Sequence, residues 1–452
     1  MLNVVTSMLF YVNGEKSCVR NPIIGIKINS LSFVLIDIMI RSLFGYAKNF
    51  SISLLFTRER SIVLKDFNRF VLGQKVLNNQ TVNPWSNKVY SEEERALALD
   101  KAVNWLLHSQ DSMSDAGFGS YHIIKKWTTS YVETSGYIVP TLLDYARREK
   151  KDDIIKRMFA AGDWLVSIQK PSGGWQGEYI ADNRAEVVFN TGQVIRGLLE
   201  VYKQTNDKKY LDSAAKSCDW LCSIQEEEGY WQKFAFRGVP RVYDSYVDAP
   251  LLLTYQITKN ELYREKALKN LYWIINNKQL ENGWFEDCDN TIKRNDKPIL
   301  HTIAYTIDGL LECGLILNDQ KIIDAAIKSA DKLFELFNKH KFLNGRYDRK
   351  WRGAQDIICT GCAQTAIIWL KLFKLTKNIQ YLNAAMKMND ILIFIQDRGV
   401  SESANTKGAI PGSFPIWGRY EPFSFPNWAT KYFADSLLLE KECLKEAIEL
   451  NK

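Results

Sequence analysis

The chain of 452 residues is first informative for what it lacks. Alternation of apolar and polar residues, the mark of a half-buried strand, is nearly absent, which excludes a β-sandwich or β-barrel. No Gly-rich phosphate loop appears, which removes the usual nucleotide cradle. Eight cysteines are scattered through helical segments, and the one close pair, Cys359 and Cys362 in "CTGC", has no second pair or neighbouring histidine. Such a pair points to packing rather than to zinc, and scattered core-facing thiols fit a reducing, cytoplasmic setting. The first residues show no leader-type cleavage pattern. The most apolar stretch, "INSLSFVLIDIMIRSLFGYA", is interrupted by Asp37 and Arg41. It therefore falls short of the roughly 20 apolar residues that a membrane span needs.

What is present is repetition. "DWLVSIQKPSGGW" (163–175) and "DWLCSIQEEEGYW" (219–231) share Trp-Leu, three residues, Gln, three residues, Gly, any residue, Trp. Looser copies carry Trp105 with Gln110 and Trp273 with Gln279, and worn ones lead to Gly345 and to Gln396. The markers Gln110, Gln169, Gln225 and Gln279 are spaced by 59, 56 and 54 residues, and Gln396 follows 117 later. Six units result, covering about residues 94 to 442.

Each unit has two halves. The half ending in Gln is amphipathic: in "LDSAAKSCDWLCSIQ", Leu211, Ala214, Ala215, Cys218, Leu221 and Cys222 recur at three and four residues. The half after the Gly-x-Trp turn is apolar on most faces, as in "NTGQVIRGLLEVY" and "HTIAYTIDGLLECG", so it is packed on most faces. Six outer helices alternating with six inner ones predict an all-α protein, an (α/α)6 toroid over residues 91–452. Residues 1–90 form an extension without the repeat. Its first 75 residues hold ten Lys plus Arg against four Asp plus Glu, nearly the whole net charge of +7. It reads as a segment packed on the toroid or resting on anionic lipid at the inner face of the cell membrane.

The Trp-Leu-x3-Gln-x3-Gly-x-Trp frame resembles the repeat of the terpene cyclase and protein prenyltransferase toroids. "GAIPGSFPIWGRYEPFSFPNWATKYFADSLL", with "FNTGQVIRGLLE" and "LHTIAYTIDGLLE", is similar to toroid proteins that accompany glycosyltransferases in bacterial surface-polysaccharide clusters. The isoprenoid chemistries implied by the first resemblance lack their residues. No Asp-x-Asp-Asp acid occurs, and "EDCD" (286–289) places Glu, not Asp, two residues before Cys288.

Polar residues near the start of the inner segments are the candidate site. Glu133, Glu186, Asp244, His301 and Tyr305 are candidate catalytic groups, with Asp248 a further carboxylate. Tyr131, Asn190, Gln193, Tyr243, Gln364, Trp428 and Lys431 stand at equivalent places as substrate contacts. Ionisable groups are costly in an apolar barrel unless they are paired, so their recurrence argues for a shared funnel. Trp175, Trp284, Trp351 and Trp417 offer flat faces for sugar rings, and Arg346 and Arg352 offer planar donors for a uronate or a phosphate.

These residues point to a carbohydrate-active protein acting on an oligosaccharide or lipid-linked glycan, with no metal, cofactor or nucleic-acid partner expected. Two chemistries fit them. His301, Tyr305 and Tyr131 suit proton abstraction beside a uronate carboxylate, as in epimerisation or β-elimination. A pair drawn from Glu133, Glu186, Asp244 and Asp248 suits glycosidic hydrolysis. Glucuronyl epimerases and unsaturated glucuronyl hydrolases, which are also toroids, illustrate both. The alternatives are a non-catalytic glycan-binding scaffold and an isoprenoid-binding protein.

Overall fold

In the computed structural model the chain divides after Asn49, and the unit from Phe50 to Lys452 holds every residue described below. These are residues 60–67, 75–77, 80–82, 88–291, 294–354, 356–396 and 403–450. The apolar segment 28–47, the rest of the basic arm to residue 59 and Cys18 lie outside them.

After α1 (Arg60–Phe67), two layers of helices alternate. The outer layer is α2 (Glu92–Asp111), α4 (Asp152–Ser167), α6 (Lys208–Ser223), α8 (Glu261–Asn277), α10 (Gln320–His340) and α12 (Ile379–Gln396). The inner layer is α3 (Val132–Glu149), α5 (Val188–Thr205), α7 (Ser245–Thr258), α9 (Leu300–Leu317), α11 (Cys359–Thr376) and α13 (Asn427–Leu450). Each inner helix packs on the next, and α13 packs back on α3, so the six close into a barrel. Strands among the described residues are two or three residues long and sit in the connecting loops. The (α/α)6 toroid read from the repeat is the fold the chain adopts.

Local chemistry sets the turns. Asn206, Lys259, Asn318 and Lys377 end inner helices in the left-handed region (φ 54°, 59°, 52° and 59°). The next residues, Asp207, Asn260, Asp319 and Asn378, each accept a hydrogen bond from the amide two positions on, at 3.0–3.2 Å. A stop and a start fit into two residues. At the other end, the first amides of four inner helices donate to loop carbonyls of the following unit: Val132 to Glu178, Val188 to Phe234, Leu300 to Gly345 and Cys359 to Gly412.

The recurrent glutamines join neighbouring outer helices. Gln169 Nε2 donates to Ser213 O (2.9 Å) and Gly173 O (2.8 Å), Gln225 Nε2 to Lys266 O (2.9 Å), and Gln279 Nε2 to Ala325 O (2.7 Å). Gln110 uses its oxygen instead, accepting from Arg157 Nε on α4 at 2.9 Å. Gln396 donates across the seam to Ala98 O on α2 (2.9 Å) and to Gly408 O (2.8 Å). The motif glycines allow this approach: a Cβ on Gly173 (φ 108°) would stand 2.6 Å from Lys216 O, and one on Gly408 (φ 90°) 2.1 Å from Lys101 O. The seam is also held by Arg95 of α2, buried between Asp390 of α12 and Glu440 of α13. Helix α1 adds Asp66, whose carboxylate accepts from Ile416 N at 3.0 Å.

Gln396→Ala removes two buried hydrogen bonds at once, one of them to the loop carbonyl of Gly408, whereas Gln225→Ala removes one. Urea unfolding is expected to show a loss of about 2–4 kcal/mol for the first and about 1–2 for the second. Equal or negligible losses would contradict the tie as the element that closes the ring.

Candidate active site

Because the inner helices run parallel, their first turns gather at one mouth, and side chains at spacings of three and four line the lumen in layers. On α3 the stripe is Glu133, Tyr137, Thr141 and Asp144; on α9 it is His301, Tyr305, Asp308 and Glu312; on α13 it is Trp428, Tyr432 and Asp435.

The deepest layer is ionic. Arg196 pairs with Glu312 (2.9 Å), Lys371 with Asp308 (2.6 Å) and Lys431 with Asp435 (2.6 Å). Two cavities of 270 and 330 Å3 at this level share Asp144, Tyr246 and Asp435. Burial alone would raise Glu312, but Arg196 beside it holds the carboxyl down to about 2. Burial lowers the Lys431 amine despite Asp435. The three buried cations here each have an acidic partner, so this layer is a balanced scaffold.

An aromatic floor separates it from the mouth. Tyr305 packs against Phe189 and Tyr246 (ring centroids 4.9 Å each) and Tyr432 (5.8 Å), and Tyr137 lies 5.5 Å from Tyr432. The Tyr305 and Tyr432 hydroxyls are buried without a hydrogen-bond partner at bonding distance.

The mouth lies on the other side of this floor. Tyr131 meets Tyr179 (5.0 Å) and Trp428 (5.7 Å), and Trp428 Nε1 donates to the Tyr420 hydroxyl at 3.0 Å. Glu133 stands among them, and its charge acts on Tyr131, Tyr137, Tyr243, Tyr305 and Tyr420, drawn from four sides of the ring. Burial, followed by the charge of Glu178, pushes Glu133 up to about 8. Glu133 is therefore a neutral acid at pH 7. Glu178, whose charge acts on Glu133, is ion-paired with Arg184 at 2.6 Å.

His301 completes the wall. Its Nδ1 is 2.8 Å from Gln364 Oε1, and its ring lies 4.5 Å from Tyr305 and 5.8 Å from Tyr420. Burial lowers His301 to about 4, so the imidazole is neutral. A bond to the amide oxygen assigns the proton to Nδ1 and leaves the Nε2 lone pair free.

Other candidates occupy different places. Glu186 accepts from Ser172 Oγ at 2.5 Å in the turn beyond the lumen; burial, the largest single influence, raises it, but Ser172, its own backbone amide and Lys170 together lower it. Asp244 is fully enclosed, raised to about 8 by burial although Arg241 opposes this, and Asp248 accepts from Asn270 Nδ2 of outer helix α8 at 2.7 Å. Asp248 thus belongs to the wall between layers, while Asp244, at the entry to α7, keeps one buried carboxylate oxygen without a partner. Trp175 is completely buried and donates to Leu165 O (2.8 Å), Trp284 to Tyr347 O (3.1 Å) and Trp351 to Asn282 O (3.0 Å). Trp417 is buried as well. These indoles are junction staples, because each is consumed by packing. Arg346 clamps Asp289 (3.0 Å) and Lys297 O (2.6 Å), while Arg352 is exposed beside Asp348. Neither is placed to neutralise a substrate at the mouth. Asn190 and Gln193 are buried within α5, and Gln193 turns back to Phe189 O (3.4 Å). Tyr243 is buried against Phe189 at 5.3 Å, and Lys431 lies below the floor over Tyr432 at 3.9 Å.

Sequence reasoning missed Glu178, Tyr179, Tyr420 and Glu421. They come from loops, outside the periodic pattern. The available signal was an adjacent Glu and Tyr in both "GEYI" and "RYEPF". Glu178 and Glu421 also adopt φ of 59° and 46°, a left-handed backbone costly for a side-chain-bearing residue and characteristic of sites. Among the described residues, no group of three or more His, Cys, Asp or Glu could hold a metal ion. Cys359 and Cys362 are buried, unbridged thiols.

No family model matches the sequence. Solved structures do resemble the chain. An unsaturated glucuronyl hydrolase specific for heparin is 14% identical with TM-score 0.62, covering 78% of this chain and 99% of that one. The unsaturated glucuronyl hydrolase of Streptococcus agalactiae is 12% identical with TM-score 0.58, covering 81% and 97%. The cellobiose 2-epimerase of Spirochaeta thermophila is 12% identical with TM-score 0.62, covering 79% and 96%. At these identities the likeness is one of fold, and it places the chain among the α/α toroids.

The raised Glu133 has a thermodynamic consequence. Between about 4.5 and 8 the folded chain holds a proton that the unfolded chain has released, so this residue costs stability progressively as pH rises through that window. Glu133→Gln should therefore be nearly neutral at about pH 4.5 and stabilising above about pH 8, each intervening unit contributing up to about 1.4 kcal/mol. Urea midpoints of both proteins across pH check this. A difference that does not vary with pH would contradict the assignment.

Proposed function

We propose that this protein is a glycan-processing enzyme that hydrolyses a glycosidic bond in an oligosaccharide held at the mouth. The observation that supports this reading is the pair of Glu133, raised by burial, and Glu178, ion-paired with Arg184, beside an aromatic rim. Glu133 donates its proton to the glycosidic oxygen as the bond to the anomeric carbon breaks. Glu178 takes a proton from the water whose oxygen joins that carbon, and exchange with solvent resets the pair. Tyr131 and Trp428 offer the sugar an apolar face at the rim, and the floor tyrosines limit its depth. The activities of the structural neighbours, two glucuronyl hydrolases and a cellobiose epimerase, agree with this class. The resemblance to toroids of polysaccharide clusters makes a surface glycan or its lipid-linked precursor the candidate substrate, met in the cytoplasm or at the inner face of the membrane.

A second reading rests on His301. A neutral imidazole with its Nε2 lone pair free is a base suited to removing a carbon-bound proton, with Tyr305 beside it. Incubating an oligosaccharide panel in water enriched in both oxygen-18 and deuterium separates the two. Oxygen-18 at a new reducing end supports hydrolysis, and deuterium on a ring carbon without cleavage supports the His301 reading. Under hydrolysis, Glu133→Gln is expected to lower kcat by about 10²–10⁴, while His301→Ala acts mainly on KM. Binding without turnover that both substitutions leave intact would instead indicate a scaffold.

A further inference from the structure

The two ends of the ring are connected very differently. At the far end each inner helix meets the next outer one through two residues, 150–151, 206–207, 259–260, 318–319 and 377–378. At the mouth the six connections are 112–131, 168–187, 224–244, 278–299, 341–358 and 397–426, each of 18 residues or more. Main-chain bonds lace each of these to the next. Ile180 N donates to Ser130 O (2.8 Å) and Val188 N, at the close of the second connection, to Phe234 O (2.9 Å). Val242 N donates to Asp287 O (3.3 Å), and buried Arg241 strengthens that joint with Nη1 to Asp289 O at 2.5 Å. Tyr347 N donates to Pro298 O (3.2 Å), Ile357 pairs with Phe414, and Tyr121 with Phe425 returns the last connection to the first. Among the described residues the joints therefore form a closed collar. The floor shuts it from below, since Tyr137, Phe189, Tyr246, Tyr305 and Tyr432 are each at most 7% exposed. Glu133 stands four residues before Tyr137, and His301 four before Tyr305, a helical rise of about 6 Å. That height takes one sugar ring and not two in line.

We infer that the mouth is an end-on pit, which admits the terminal residue of a glycan and turns away internal segments and cyclic glycans. A residue inside a chain has a neighbour on each side, and a collar closed all round leaves no low edge for the second neighbour to pass. A terminal residue has one neighbour, which leaves by the way it came. The selection is steric, made by main-chain walls against the wrong shape, so it requires no net charge at the mouth and no particular sugar. Its consequence rests on the hydrolase reading: cleavage at Glu133 then trims the chain from its end, one residue per encounter.

The test reads access without assuming a substrate. Full-length Glu133→Cys is treated with two maleimides joined through the same short linker, one to the end residue of linear maltohexaose and one to its cyclic counterpart, α-cyclodextrin. His301→Cys, from the inner helix on the opposite side of the ring, duplicates the measurement. Peptide mass mapping separates the introduced thiol from the native cysteines, and Lys350→Cys, at an exposed position, corrects for intrinsic reactivity. At both mouth positions the linear reagent is expected to react at least about tenfold faster than the cyclic one, with no such ratio at position 350. Equal mouth rates would show an open cleft, and no reaction with either reagent would show a shut one; both results overturn the inference. For any oligosaccharide cleaved in the oxygen-18 assay, the first products are expected to be a single sugar and a chain shortened by one, and early fragments of mixed internal length would overturn the inference while keeping the hydrolase. End-selective labelling with no oligosaccharide cleaved supports the pit and counts against the hydrolase.

Discussion

One side-chain amide at the end of an outer helix, reaching the backbone of the next, is the interaction on which the rest of the structure depends. It recurs at Gln169, Gln225 and Gln279, and at Gln396 it crosses from the last outer helix to the first. A repeated tie of fixed length imposes a fixed rotation per unit, and after six units the rotation closes. Closure makes the inner helices parallel and brings their first turns together. Every property of the mouth follows from that gathering, since no single unit could enclose a carboxyl group from four sides.

The same gathering explains why two layers of charge behave so differently. Below the aromatic floor, acid and base pair one to one, across the ring at Arg196 and Glu312, between neighbouring helices at Lys371 and Asp308, and within α13 at Lys431 and Asp435, so the charges cancel. Above it, Glu133 faces tyrosines and another carboxylate. Desolvation with no compensating cation keeps its proton on. Buried pairs hold a shape, whereas an uncompensated acid holds a proton ready to give. The proposed site at the mouth rests on this electrostatic contrast and not on the two cavities, which lie below the floor.

How much of this was legible in the chain depended on whether a feature was periodic. Helix count, the two layers and the ring were all readable, because Gln and Gly recur wherever the same junction is built. Glu133, His301, Gln364 and Trp428 were readable too, as polar or amphipathic interruptions at the start of apolar helices. Trp175, Trp284 and Trp351 misled for an instructive reason: the first two recur at the motif's turn and serve the junction there, and all three spend the indole N–H on a backbone carbonyl. Arg346 and Arg352 looked like anion donors, yet loop carboxylates had already claimed them. Glu178 and Glu421 were missed because they lie in loops outside the period, marked only by an adjacent tyrosine and placed by closure rather than by pattern.

The account turns on one proton. Difference infrared spectroscopy of the unsubstituted protein against Glu133→Gln isolates the carbonyl stretch of a single protonated carboxylic acid. The account predicts that this band is present at neutral pH and disappears as pH rises through about 8. A band already lost below about pH 5, the range of an ordinary solvated glutamate, would contradict it.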